Sequence, residues 1–410
     1  MNLLHPSARV VDAVTGETLT EELIEAEAAV LADDGRSGET IVILPIETTI
    51  ASIARYLAAL RLDKPVLLLD PDGGHNEFSE RFRTDRVHPD LSLLLTTSGS
   101  TGNPKLVRLS RTAVLTNAEQ IAEALEIDGN EVAITTLPLF YSYGLSVLNS
   151  HLVRGATVVL ERTGIMQRTF WNAAVEHQVT SMAFVPSQYE MLRRLRFDPA
   201  KYPALRTLTQ AGGRLRTERV TEFAEKMATV GGKLYVMYGQ TEAGPRMATL
   251  PADRLADKLG SVGRALPGGE FTISDGEVVY RGPNVMMGYA ETGADLVKGD
   301  EQGGVLRTGD LGRLDDEGFL FITGRLKRMA KVFGVRINLD DVEKNFPVAA
   351  VAGDDKLVVY VVDLDDEKTL RAKIAEWLGT HHTGVVVHRI EALPLLPNGK
   401  TDYRALEASL

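Results

Sequence analysis

A chain of 410 residues with 44% apolar and 25% charged side chains exceeds one ordinary core and is too apolar for disorder, so a large domain with a smaller companion is expected. Its net charge of −11, with both signs mixed along the chain, argues against nucleic acid or an anionic membrane as principal partner. Cysteine is absent, which excludes disulfides, thiolate metal sites and a thioester on the chain itself; a thiol in the chemistry must come from another molecule.

The N-terminus shows no basic stretch leading into an apolar segment, and no apolar run approaches the ~18 residues of a membrane span, so the cytoplasm is the expected compartment. From residue 41 to about 240, short apolar runs alternate with helical patterns: Ile41 to Leu44, Val66 to Leu69, Leu91 to Leu95, Val132 to Thr136, Ala156 to Leu160, Met182 to Val185 and Leu234 to Met237. That alternation predicts one wound α/β unit with a parallel sheet. Ser110 can N-cap a helix whose Val114, Ala118, Ile121, Ala122 and Leu125 share one face.

After Gly260 the pattern becomes short alternating strands: Phe271 to Ile273 and Val278 to Tyr280 about the turn Asp275-Gly276, then Phe319 to Ile322 after Glu317-Gly318. This predicts an antiparallel β lobe closing a large N-terminal domain of residues 1–325. Lys327, Arg328 and Lys331 follow, then a strand at Leu357 to Val362, a helix near Thr369 to Leu378 and a strand at Val385 to His388. These predict a hinge and a small α+β domain of residues 326–410. The eight histidines show no metal spacing; His381 and His382, being adjacent, are expected to point apart on a solvated turn.

The strongest local signal is Thr97, Ser98, Gly99, Ser100, Thr101, Gly102, Asn103, Pro104 and Lys105, directly after the run Leu91 to Leu95. Glycines allow close backbone approach, successive amides make an anion nest, and hydroxyls with Lys105 add donors, which suits phosphates. It is not a G-x-x-x-x-G-K-[ST] loop, because no Lys-Ser or Lys-Thr follows a glycine at that spacing. The plain alternative is a flexible Gly/Ser loop.

Tyr238-Gly239-Gln240-Thr241-Glu242 again follows an apolar run and gathers a ring that can stack on a base, a hydroxyl, and a carboxylate suited to Mg²⁺. A strand-end turn with a solvated Glu is the alternative. Asp310, in Arg307-Thr308-Gly309-Asp310, suits two ribose hydroxyls, and Arg325 has the fork to reach ribose or phosphate oxygens, although each segment alone is a common turn. Leu396-Pro397-Asn398-Gly399-Lys400-Thr401-Asp402 presents one lysine on a tight turn, where a lone lysine by itself would only be solubilising.

The order and spacing of these motifs resemble the ANL superfamily of adenylate-forming enzymes: acyl-CoA synthetases, peptide-synthetase adenylation domains and luciferases. The likeness spans about residues 40 to 407 and includes Tyr280-Arg281-Gly282-Pro283-Asn284 with Gly288-Tyr289, and Gly334-Val335-Arg336-Ile337 with Asp341-Val342-Glu343. The resemblance implies an α/β plus β-lobe large domain with a small mobile α+β C-terminal domain. It implies that Thr97 to Lys105 hold the β- and γ-phosphates, Tyr238 stacks on adenine, Thr241 meets the α-phosphate and Glu242 binds Mg²⁺. Gly212 and Gly239 fall in the same nucleotide site, and Asp310 and Arg325 hold the ribose. Lys327 takes the hinge position, Lys400 is the adenylation lysine delivered by the small domain, and Gly334 lies on the pantetheine tunnel. Tyr141, Tyr143 and Gly144 fall on the acid pocket.

The implied activity is ATP-dependent, AMP-forming activation of a carboxylate, then acyl transfer to the thiol of coenzyme A or of a carrier-protein phosphopantetheine. Two other readings stand beside it: an enzyme that loads only a carrier protein, and a nucleotide-binding pseudoenzyme. The chain departs from the family pattern in reaching its phosphate loop by residue 97, in a short final domain, in Leu106 where glycine is usual, and in Tyr141 where histidine is common. No aspartate pairs with an α-ammonium, so the expected substrate is a carboxylic acid lacking an α-amino group.

Overall fold

The computed structural model describes residues 3–33, 41–73, 75–96, 105–363 and 366–410. Spatial proximity divides the chain into two units, one of residues 1–270 with 280–306 and one of residues 271–279 with 307–410. The expected boundary at 325 differs from this division in where the hairpin strands Val305–Leu314 and Leu320–Arg325 fall, because they share a sheet with Glu270–Ser274 and Glu277–Arg281.

The first unit contains two parallel-rich sheets where a single one is expected from the pattern. The eight-stranded sheet runs in the order Arg9–Asp12, Thr157–Leu160, Val132–Ile134, Ser181–Phe184, Thr207–Gln210, Lys233–Gly239, Arg246–Leu250, Arg264–Ala265. Its first six strands are parallel and the last two turn antiparallel. The five-stranded sheet contains Val42–Pro45, Val66–Leu69 and Leu91–Thr96 in parallel, then Leu106–Ser110 and Gly288–Ala290 antiparallel. Every residue of Val66–Leu69 is buried, as a strand covered on both faces requires, and this makes the run continuous rather than alternating.

All the apolar runs expected between 41 and 240 are strands, give or take two residues at their ends. Arg9–Asp12, Leu106–Ser110 and Thr207–Gln210 were not foreseen, since each is short and interrupted by polar residues. Helix Arg111–Ala124 begins where expected: the Ser110 hydroxyl accepts from the Ala113 amide at 3.1 Å, a cap worth about 1 kcal/mol. Val114, Ala118, Ile121 and Ala122 are buried along it.

In the second unit, Asp275 and Gly276 both have positive φ, 52° and 81°, the geometry of a type I′ hairpin turn. A three-stranded sheet follows, with Ala349–Ala352 antiparallel and Val385–Arg389 parallel to the central Leu357–Val361. One face packs Val359, Ile374, Val385 and Val387 with Val332 and Val342; the other packs Val351, Val358, Tyr360 and Leu406. His381 and His382 are exposed on a turn, as expected, but their rings do not point apart: the centroids lie 4.1 Å from each other, because the short 3-10 turn His382–Gly384 bends the chain. Among the described residues no helix is long and apolar enough to cross a membrane.

Candidate active site

The segment 238–246 is fixed by the backbone fit around it. Strand Lys233–Gly239 ends in a bulge between Tyr238 and Gly239 against Arg246–Leu250. A Cβ on Gly239 would run into the Pro245 carbonyl, so only glycine fits that approach. Gly244, at φ 74°, closes the 3-10 turn Thr241–Ala243. Two fully buried amides then pin the turn. Asn117 donates to the Arg246 carbonyl at 2.8 Å and accepts from the Arg246 amide at 3.0 Å, while Asn284 donates to the Ala243 and Arg246 carbonyls at 2.7 and 2.8 Å. Asn284 in turn accepts from the Tyr280 hydroxyl at 2.8 Å.

This framework presents oxygen groups in a row. The Thr241 hydroxyl lies 3.1 Å from that of Ser142, the first residue of helix Ser142–Leu152. The Tyr289 hydroxyl donates to Glu242 Oε1 at 2.8 Å, and burial, then the Glu242 charge, hold the phenol well above its ordinary pKa, so it stays a donor. Lys105 Nζ lies 2.5 Å from Glu291 and 5.9 Å from the Tyr289 ring centroid. Cationic Lys105, donor Tyr289, carboxylate Glu242 and the two hydroxyls thus belong to one patch. Thr97, Ser98, Gly99, Ser100, Thr101 and Gly102, the expected phosphate loop, lie outside the described residues.

Magnesium takes hard oxygen donors and commonly only one or two protein carboxylates, the rest being waters and substrate phosphates. Glu242 with the neighbouring hydroxyls fits that pattern, and among the described residues no cluster of three acidic or imidazole side chains offers a denser site. Tyr238, expected to stack on adenine, is half-buried at the end of its strand, and Gly212 turns the chain just past strand Thr207–Gln210 with φ 81°.

Tyr141, Tyr143 and Gly144 come together at the start of helix Ser142–Leu152. A Cβ on Gly144 would strike the Pro138 carbonyl, so glycine lets the helix meet the preceding loop. The two tyrosine rings meet edge to face at 6.2 Å. Burial pushes the Tyr143 hydroxyl up to about 12, and it bonds the Thr209 hydroxyl at 2.8 Å. Tyr143 also walls a narrow, partly open cavity of about 30 Å³, together with Leu125, Ser146, His151, Met237 and Arg246.

In the second unit, Asp310 and Arg325 face each other across the hairpin register, and Arg325 Nε donates to Asp310 Oδ1 at 3.1 Å. The two expected ribose residues are therefore partners of one another. Lys327 is exposed in the turn after that strand. Gly334 (φ 83°) and Phe333 (φ 48°) form the two-residue turn between Met329–Val332 and Val335–Asn338. Lys400 sits on a turn closed by its own backbone, with the Leu396 amide bonded to the Lys400 carbonyl at 2.8 Å and Gly399 at φ 77°.

The AMP-binding enzyme family matches residues 25–290, and the chain belongs to it, within the ANL superfamily. It is 34% identical over 278 residues to the indoleacetate–CoA ligase of Aromatoleum aromaticum, covering 64% of this chain and 53% of that protein. It is 30% identical over 324 residues to the 2-succinylbenzoate–CoA ligase of Bacillus subtilis, covering 76% of this chain and 61% of that one. The match thus spans about half the length of the first of these relatives. Among solved structures, o-succinylbenzoate CoA synthetase from Bacillus subtilis with ATP and magnesium superposes with a TM-score of 0.77 at 22% identity, over 98% of this chain and 97% of that one. ATP-bound MatB from Rhodopseudomonas palustris gives 0.80 at 21% identity, over 98% and 96%.

Sequence reasoning passed over Ser142, Asn117 and Arg246 as site components and left Tyr289 without a role. Tyr289 stood beside Gly288 in a matched segment and could have been found there. Asn117 lies in an ordinary helical pattern, and only the fold brings it 129 residues along the chain to the turn it holds.

Proposed function

We propose that this chain activates a carboxylic acid with ATP, forming an acyl-adenylate and pyrophosphate, and then transfers the acyl group to the thiol of coenzyme A. One carboxylate oxygen attacks the α-phosphorus, the bond to pyrophosphate breaks, and the thiol sulfur later displaces AMP from the acyl carbon. Both reactants of the first step are anions, so donors and positive charge must converge where they meet. Glu242 would hold Mg²⁺, which would supply charge neutralisation there.

The observation that carries the reading is the patch of Thr241, Ser142, Glu242, Tyr289 and Lys105, held by a turn that two buried amides fix in place. Thr241 and Ser142 orient the α-phosphate, Tyr289 sets the direction of the Glu242 carboxylate, and Lys105 adds positive charge. Tyr238, Gly239 and Gly212 border the adenine, and the loop Thr97 to Lys105 takes the outer phosphates. Asp310 with Arg325 serves the ribose, Lys400 serves adenylation, Lys327 is the hinge of a small domain of residues 326–410, and Gly334 borders the thiol path.

Support for coenzyme A as acceptor comes from the names of the relatives, which are CoA ligases; a carrier-protein phosphopantetheine offers the same thiol and is the second reading. An acid without an α-amino group is favoured by the cavity wall, where the charge stacked on Tyr143 is the Arg246 guanidinium, which repels an ammonium. The cytoplasm, where ATP and coenzyme A are available, is the proposed location. Pyrophosphate exchange over aryl, short-chain, medium-chain and amino acids tests the first step, and coenzyme A dependence with the best acid tests the second. Exchange with a simple acid followed by thioester formation is the expected result; no exchange with any acid would overturn the reading.

A further inference from the structure

Two other arginines withdrawn from solvent, Arg108 and Arg328, are neutralised by carboxylates. Arg108, wholly buried, pairs with Glu301 and donates to the Tyr289 carbonyl at 3.3 Å. Arg328, half-buried, pairs with Asp340 and with Glu343 at 2.8 Å. Arg246 is different. It is 2% exposed, and among the described residues no carboxylate pairs with it.

The Arg246 Nε has no hydrogen-bond partner in the protein, and its backbone, not its side chain, makes the bonds to Asn117 and Asn284. Its guanidinium carbon lies 4.7 Å from the centroid of the Tyr143 ring, a cation–π contact that recovers only part of what desolvating an unpaired charge costs. Tyr143 therefore positions the group without compensating its burial. The other ionisable groups on the cavity wall are engaged elsewhere. Glu131 accepts from the Thr180 hydroxyl. His151 has Nδ1 2.8 Å from the Val147 carbonyl and Nε2 3.3 Å from the Ser181 hydroxyl.

Two residues of the cavity wall are chain neighbours of residues in or beside the activation patch. Met237 of its wall directly precedes Tyr238, and Tyr143 directly follows Ser142, whose hydroxyl touches Thr241. An acid with its reacting carboxylate at that patch would extend its remaining length into this cavity, toward a planar cationic fork. Guanidinium groups bind carboxylates with paired, charge-assisted hydrogen bonds.

We propose that Arg246 receives a second carboxylate on the substrate, distal to the one that is activated, so that the acid taken by this protein is a dicarboxylate. The inference rests on the ligase reading for the identity of the reacting end, and on the cavity alone for the distal end. Arg246 is then a specificity-determining residue. A charge-assisted bond is worth about 1.5–3 kcal/mol, which corresponds to a preference of about tenfold to a hundredfold for the diacid over a monoacid of matched length.

The test uses glutarate, adipate and isophthalate against pentanoate, hexanoate and benzoate, with the full chain, by calorimetric titration without ATP and by pyrophosphate exchange. Wild-type protein is expected to favour the diacid in each pair, Arg246→Met to bring the ratio towards one, and Arg246→Lys to keep part of it. Equal or better binding and exchange of monoacids in the wild type overturns the inference while leaving the ligase reading intact. An equal loss for both sets in a folded Arg246→Met also overturns it. Diacid binding that depends on Arg246, without exchange of any acid, upholds the inference and removes the ligase reading. If Arg246→Met fails to fold, the wild-type pairs alone decide.

Discussion

The turn at 241–246 in the first unit and the turn at 395–402 in the second carry the residues proposed to serve adenylation, and they are built on opposite plans. The first is held from outside: Asn117 and Asn284 reach in from distant elements, and Gly239 admits the Pro245 carbonyl where no side chain would fit. The second is held from within: the Leu396 amide meets the Lys400 carbonyl, the Gly399 amide meets the Leu396 carbonyl, and the Asp402 amide meets the Pro394 carbonyl, each at 2.8 Å. Groups that stabilise charge through preorganisation must not move, which calls for fixed neighbours. A lysine whose service is confined to one half-reaction needs a turn that keeps its own shape whatever surrounds it.

The largest effect that would sharpen this comparison is expected from Lys400→Ala. Loss of a positioned cationic donor commonly lowers a rate on the order of 10²- to 10³-fold, so pyrophosphate exchange should fall by that much while thioester formation from supplied acyl-AMP survives. Equal loss of both steps, with an intact circular dichroism spectrum, would break the idea that the second turn serves adenylation alone.

Acid should separate the two units next. Burial lowers the His151 pKa from 6.5 to about 4, so between those values the unfolded chain binds a proton that the folded first unit does not. The stabilisation is complete above pH 6.5 and is lost as pH falls toward 4, to a total of about 3 kcal/mol. Trp171 reports on the first unit and Trp377 on the second, and the chain has two tryptophans, so single-tryptophan variants resolve them. Denaturation followed at Trp171 should weaken between pH 7 and pH 5, and His151→Gln should flatten that dependence; an unchanged slope in the variant would exclude His151 as its source.

Glu242→Gln and Asp310→Asn come third. Replacing Glu242 removes a charge from the patch but keeps an acceptor for Tyr289, so ATP use should drop about tenfold to a hundredfold with little change in Tm. Asp310→Asn also loses its ionic bond to Arg325, a partner whose side chain is 60% exposed, which limits the stability cost to about 1 kcal/mol or less. Wild-type ATP affinity and turnover in Asp310→Asn would remove that residue from the nucleotide site. The smallest effect is expected from Lys327→Pro, which restricts φ at an exposed turn and should slow thiol transfer severalfold while adenylation continues. Normal transfer in that variant would move the hinge elsewhere.

Much of the fold was legible because its signals are local. Apolar runs such as Val66–Leu69 mark buried strands, Ser110 marks a helix start, and Asp275-Gly276 marks a hairpin whatever lies around them. The two sheets of the first unit were read as one, since the same alternation of strand and helix can wind either way and pairing between Arg9–Asp12 and Thr157–Leu160 spans more than a hundred residues. Asp310 and Arg325 stand in two separate motifs of the sequence, and their meeting across one hairpin depends on strand register.

The sequence by itself determined the family and the motif residues, because Thr241, Glu242, Asp310 and Lys400 stand in an order and spacing that survive without coordinates. Only the tertiary structure decided that Tyr289 meets Glu242, that Ser142 meets Thr241, and that Arg246 is buried on a cavity wall without a carboxylate. Whether an arginine snorkels to solvent or is enclosed depends on Tyr143, Leu125 and Met237 arriving from three separate elements, and one-dimensional periodicity carries no record of that convergence.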